Sequence, residues 1–213
     1  MSESMPLAIF LTLAGGFQDA YSYNCRGKVF ANAQTGNIVL LSQHIFAGNW
    51  ADVMRYLMPV LSFMFGVAAA TEIRQHFQNI GRIHWRQIVI LIEMRMLFLV
   101  GFLPGKMDLV ANAFVSFSCA MQVQTFRKVD SYAFASTMCI GNIRSGMEAL
   151  CAYRQSHNRQ ILYKAFHYFG IIILFAFGAG IGSILIPVFN LQTIWFSSFL
   201  LMVGFFLMFI QEK

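Results

Sequence analysis

Charged side chains are scarce in this sequence: Asp, Glu, Lys and Arg make up 11% of its 213 residues, against 58% hydrophobic. Soluble domains carry about 25% charged residues, so an ordinary water-facing surface is excluded. Paired cysteines are missing too. Cys25, Cys119, Cys139 and Cys151 form no CxxC, and in apolar surroundings a thiol acts as a small hydrophobe, so neither a disulfide nor a metal site is expected. The five histidines show no HExxH or other zinc-ligand spacing. There is no phosphate-binding glycine loop, dinucleotide fingerprint or carboxylate cluster, and the Gly-x-Ser of an intramembrane serine protease would need glycine where Ile143 precedes Ser145. We therefore expect no enzyme and no cofactor. The formal charge of +6 has no basic patch behind it, because Lys and Arg sit almost entirely in short connections between apolar runs, so no nucleic-acid partner is expected. The first residues lack the basic start of a secretory signal, with Glu3 in its place and Gln18 and Asp19 soon after, which fits a retained first helix.

What the sequence does have is apolar runs of about 20 residues, close to the ~30 Å hydrocarbon thickness of a bilayer at 1.5 Å per helical residue. Eight such segments lie near 5–23, 29–47, 54–71, 86–104, 108–126, 132–150, 163–187 and 191–210. The second and sixth are interrupted by polar, glycine-containing motifs, Asn32-Ala33-Gln34-Thr35-Gly36-Asn37 and Thr137-Met138-Cys139-Ile140-Gly141-Asn142. Gly and Asn are poor helix formers, and both segments are expected to break there.

These motifs expose a repeat. Phe30-Ala31 and Phe134-Ala135 precede them at matching distances, and Gln18 and Gln122 stand about 20 residues before Asn37 and Asn142. The chain thus divides into halves, 5–104 and 108–213. Thr12, Gly15, Asp19 and Ser22 form a small-and-polar stripe on the first helix, and Asn112, Ser116, Cys119 and Gln122 form one on the fifth. Close helix packing explains the small residues of such stripes, but it explains Asp19 and Gln122 less well.

Positive charges weigh the topology. Of 15 Lys and Arg, Arg95 and Arg144 lie well inside segments, leaving 13 at segment ends and in connections. If all eight segments span, the two sides carry seven and six, which decides nothing. If the second and sixth enter and leave by one face, Arg26, Lys28, Arg55 and Lys106 oppose the other nine, a positive-inside bias. The expected fold is therefore an all-α, polytopic integral membrane helix bundle of six spans plus two interrupted or re-entrant segments. Both termini would be cytoplasmic and the two pseudo-symmetric halves mutually inverted.

Residues 14–41, AGGFQDAYSYNCRGKVFANAQTGNIVLL, carry a resemblance through Gly16-Phe17-Gln18-Asp19-Ala20, Val29-Phe30-Ala31-Asn32 and Thr35-Gly36-Asn37. Here the chain resembles the YoaK-like family of bacterial integral membrane proteins, a family of unknown function, and the resemblance covers the whole chain. Gln34 stands where that family commonly has Met, and Ile140 replaces the Thr of Thr-Gly-Asn in the second half. The resemblance implies a small multi-span protein of the bacterial cytoplasmic membrane and supplies no substrate.

Ionisable groups inside spans cost about 2.5–3.5 kcal/mol each near a helix centre on insertion scales, so Asp19, Glu93, Arg95, Arg144 and Glu148 need reasons. Asp19 has no carboxylate counterpart in the second half and can bind a proton or cation; the alternative is an ion pair with Arg144 or Arg95. Glu93 and Arg95, two apart, face different ways and need partners elsewhere, whereas Arg144 and Glu148 can pair along one helix. If the two breaks meet near mid-depth, they can surround a small polar solute; the alternative is a pair of Asn-capped kinks. We expect a transporter or permease with its path between the halves, lined by Gln18, Asp19, Asn32, Thr35, Asn37, Gln122, Thr137 and Asn142. A channel-like pore, or a membrane scaffold or sensor, is the alternative. The expected partners are the lipid bilayer and a small polar solute or ion.

Overall fold

The computed structural model describes residues 4–78, 84–129, 132–133 and 137–210. Glu3, Arg82, the Phe134-Ala135 echo and Lys213 lie outside the described residues. The described chain is helical: α1 (Met5–Cys25), α2 (Gln34–Phe46), α3 (Trp50–Phe77), α4 (Trp85–Val100), α5 (Asp108–Thr125), α6 (Cys139–Ser156), α7 (Arg159–Phe189) and α8 (Ile194–Ile210). Its extended structure is a two-rung antiparallel ladder, Lys128 opposite Ala133 and Val129 opposite Tyr132.

Local chemistry sets these boundaries. Pro6 stands in the first turn of α1, where its missing N–H costs nothing. His84 and Gln87 close a reciprocal capping box on α4, and Asn158 accepts from the Gln160 N–H to start α7. Gly48, at φ +69°, supplies the left-handed turn between α2 and α3. Two stretches, Trp50–Phe77 and Arg159–Phe209, are long and apolar enough to cross a membrane.

Most of the expected segments return as helices, but the interrupted pair is corrected. Helix begins at Gln34 and Cys139, so the breaks fall in 26–33 and, among the described residues, in 126–129, 132–133 and 137–138, upstream of Gly36 and Gly141. The glycines sit in the first helical turns instead. The reason is the Asn37 side chain, which donates to the Phe30 carbonyl (2.7 Å) and accepts from the Phe30 N–H (3.2 Å), tying the loop to the new helix start. At 13 residues α2 is only about 20 Å long, too short to span.

The helix ends define two poles. At one, Arg26 reaches the ends of α4 and α5 and Tyr21 bonds the Leu191 carbonyl, so α1, α4 and α7 finish there while α5 and α8 start. Arg55 beside Gly27 brings the start of α3 to the same pole. At the other pole Arg74 lies over the Trp85 ring, where α3 ends and α4 begins. Gly15 is the eleventh of the 21 residues of α1, its midpoint, and the Asn32 side chain bonds its carbonyl. The chain therefore turns back from the first pole to mid-height before α2 returns outward. Thr137 packs on the same Gly15 after α5 has ended at the opposite pole.

The core is a quartet, α1, α4, α5 and α8, whose Leu7, Leu11, Ile90, Leu97, Val115 and Leu201 are all buried. The principal pairings are α1 with α7 and α8, α5 with α3 and α4, α2 on α3, α6 on α7, and α4 on α8. This set is unchanged when α1–α4 are exchanged for α5–α8. Outward faces are apolar, with Met64 and Phe65 on α3 and Ile173, Phe177, Ile184 and Val188 on α7 exposed.

Helices approach closely at glycine. A Cβ on Gly16 would meet the Phe175 carbonyl, one on Gly178 the Leu13 carbonyl, and in the matching pair one on Gly66 the Phe117 carbonyl. Gly178→Leu is expected to cost about 1–3 kcal/mol or more through overpacking and to lower the thermal unfolding midpoint in detergent, whereas Gly180→Leu, with open space around it, should leave the midpoint almost unchanged.

A candidate polar centre where two chain breaks meet α1

The stripe on α1 faces inward along its length, with Thr12, Gly15, Gln18, Asp19 and Ser22 all buried. Asp19 Oδ1 accepts the Asn32 backbone N–H at 2.8 Å, and the neighbouring Ala31 N–H goes to Ser22 Oγ at 3.2 Å. Asn32 Nδ2 donates to the Gly15 carbonyl at 3.2 Å. Gln18 bridges two helices, its Nε2 donating to Ser197 Oγ of α8 (2.9 Å) and its Oε1 accepting from Cys119 Sγ of α5 (2.7 Å). Gln122 of α5 donates to the Leu11 carbonyl at 3.0 Å. Thr137 brings its methyl against Gly15 and leaves its hydroxyl buried without a hydrogen-bond partner among the described residues.

Of the eight residues expected to line a site, Gln18, Asp19, Asn32, Gln122 and Thr137 thus gather around one point of α1. Asn37 and Asn142 are buried one step away, in the first turns of α2 and α6. Asn37 is occupied by Phe30 and by Gln34 Oε1 (3.0 Å), so its task is to brace the loop. Thr35 is exposed and takes no part, because the first turn of α2 turns it outward.

The ion-pair alternatives for Asp19 are not found. Arg144 pairs with Glu148 at 2.8 Å, as its spacing foretold, on an exposed face where the two side chains are 80% and 63% accessible. Arg95 is exposed on α4. The anticipated partner for Glu93 is also missing: it is fully buried, and neither carboxyl oxygen has a hydrogen-bond partner among the described residues.

Three contributors escaped the sequence reading. Cys119 reads as a small hydrophobe, yet its Sγ–H donates to Gln18 Oε1 at 2.7 Å and ties α5 to α1. Ser197 sits in an otherwise apolar helix and carries no motif. Arg26 reads as a loop cation and is instead entirely buried at the first pole. Its guanidinium donates to the Val100 and Leu103 carbonyls (3.0 and 2.9 Å), to Asp108 (2.9 Å) and to Tyr21 Oη (2.9 Å), closing the C-terminus of α4 where a cation suits the helix dipole. A pocket of about 290 Å³ opens beside it, lined by Arg26, Arg55, Lys106, Asp108 and Asn112 among others. Among the described residues no three His, Cys, Asp or Glu side chains are grouped to hold a metal ion.

Removing Arg26 strands several partners at once. Arg26→Leu is expected to lower stability by about 3–5 kcal/mol, and Arg26→Lys to recover only part, since an ammonium cannot serve all these acceptors. Denaturant or thermal unfolding of the purified protein checks this.

Comparison with curated proteins and with solved structures yields no match. The model of one family, described as "Protein of unknown function (DUF1275)", matches residues 7–207, and this chain belongs to that family.

Proposed function

We propose that this protein is a small multi-pass transporter of the bacterial cytoplasmic membrane, with six spans and two re-entrant segments, moving a small polar solute or ion through the centre of the bundle. The observation that carries this reading is the arrival of two chain breaks, from opposite poles, at Gly15 in the middle of α1. Non-helical backbone at such depth persists in a membrane only where protein buries it or a cavity wets it, and transporters place their sites at breaks of this kind. The pairing of α1 with α7 and of α5 with α3, unchanged by exchange of the halves, supports an inverted repeat. The apolar outward faces of α3, α7 and α8 suit lipid. Nine positive charges assigned to one side against four on the other support a reading with both termini in the cytoplasm.

A transporter fits better than an open pore. Asp19 is 8% exposed and Gln18 and Gln122 are 1% exposed, so the polar centre is occluded from both poles, as an intermediate of alternating access would be. Asp19→Asn and Asn32→Ala are expected to reduce flux in proteoliposomes about tenfold or more for the solute moved. Equality with the parent for every solute moved would remove these residues from the path. On topology, Gly48→Cys should react with an impermeant thiol reagent from outside the cell and Ser156→Cys only after the membrane is opened.

A further inference from the structure

The pocket of about 290 Å³ at the first pole lies outside the path assigned above, and three segments build it. The loop after α1 contributes Arg26, the start of α3 contributes Arg55, and α5 with the Gly105–Met107 turn before it contributes Lys106, Asp108 and Asn112. Two helices open onto it by their N-terminal ends, since the first-turn residues Ala51 of α3 and Leu109 of α5 are in its wall. Neither end is capped by a side chain, so first-turn N–H groups and the positive ends of two helix dipoles are left to the pocket.

Its charges favour an anion. Arg26, Arg55 and Lys106 stand against Asp108 and against Asp52, which pairs with Arg55 Nη1 at 2.8 Å. The five N–H groups of Arg26 already meet five acceptors, so this residue adds positive field without a free donor. Arg55 spends one nitrogen on Asp52 with half its side chain accessible, and Lys106 is exposed with no ion pair among the described residues. These two can take a carboxylate.

One acceptor is left over as well. Asn112 is 1% exposed and gives its Nδ2 to the Arg26 carbonyl at 2.6 Å, which fixes the amide and leaves Oδ1 buried with no hydrogen-bond partner among the described residues. A buried acceptor left bare is costly, and a ligand that brings a donor removes the cost. Asp108 stands one helical turn earlier on the same face of α5. A simple anion has no donor to offer, and a lone amine would meet three cations. The volume, near the lower end of the roughly 300–1,000 Å³ of small-molecule sites, suits a solute of few atoms.

We propose that this pocket binds a small 2-hydroxy or 2-amino carboxylate, its carboxylate on Arg55 and Lys106 and its hydroxyl or ammonium group on Asn112 Oδ1. Resting on the transport reading, it is the outward-facing entry site, which makes such an acid the solute moved.

The full-length protein in phosphatidylcholine nanodiscs is titrated with L-lactate, L-alanine, propionate and ethylamine, and binding is read by saturation-transfer difference NMR. Lactate or alanine is expected to bind saturably, propionate about tenfold more weakly because it lacks the donor, and ethylamine not at all. Lys106→Gln and Arg55→Gln should each weaken binding about tenfold, and Arg154→Gln, on an exposed part of α6, should leave it unchanged. Asn112→Ala is expected to erase the preference over propionate. Should that variant fail to fold, the parent's own preference still tests the acceptor, and the exposed Lys106 tests the carboxylate contact. A parent that binds none of the acids, that binds propionate as tightly as the other two, or whose affinity survives both Lys106→Gln and Arg55→Gln overturns the proposal. Loss of binding when half the lipid is phosphatidylglycerol, whose headgroup also joins an anion to hydroxyl donors, assigns the pocket to lipid and overturns it too. Binding without flux of the bound acid in proteoliposomes sinks the transport reading and leaves the pocket standing. Flux of another solute by a parent that binds none of these acids does the reverse.

Discussion

A chain that interrupts its helices inside an apolar bundle exposes backbone N–H and C=O groups that must find partners, since each one left bare and buried costs about 1–3 kcal/mol. Around Gly15 the partners come from α1. Asp19 takes the Asn32 N–H, and the carbonyl of Gly15 takes the Asn32 side chain. Ser22 takes the N–H of Ala31. Gly15 has no Cβ because Thr137 occupies that space. The polar stripe on α1 is therefore the scaffold that allows one break to reach mid-height and the other to pack against it.

The rest of the architecture follows from holding α1 in place. Its outer side is locked to α7 by glycine contacts that let backbones touch, and its inner side by the Gln18 bridge to α5 and α8. Arg26 fastens its end to α4 and α5 with a full set of donors. Packing in membranes has little hydrophobic drive between helices, so small residues and buried hydrogen bonds carry more of the specificity there.

The helical class and the segments were legible because apolar runs of bilayer length are a strong signal, and the paired motifs marked where the chain would break. The break positions were misjudged by several residues: Gly36 looked like the breaker, whereas Asn37 acts as a clamp that starts a helix. Gln18, Asp19, Asn32, Gln122 and Thr137 could be named from polarity against an apolar background. Cys119, Ser197 and Arg26 could not, because a thiol, a lone hydroxyl and a loop cation have ordinary local contexts, and only the tertiary arrangement puts them where they act. Thr35 was drawn in by its motif and excluded by the phase of one helical turn.

The central claim, that two breaks entering from opposite faces meet at mid-depth, is open to a direct distance measurement. Spin labels at Ala33→Cys and Met138→Cys, both exposed positions flanking the centre, would be read by pulsed electron–electron resonance in nanodiscs. The account predicts a separation well short of the roughly 30 Å hydrocarbon thickness. A separation at or beyond that thickness would place the two segments at opposite faces and contradict it.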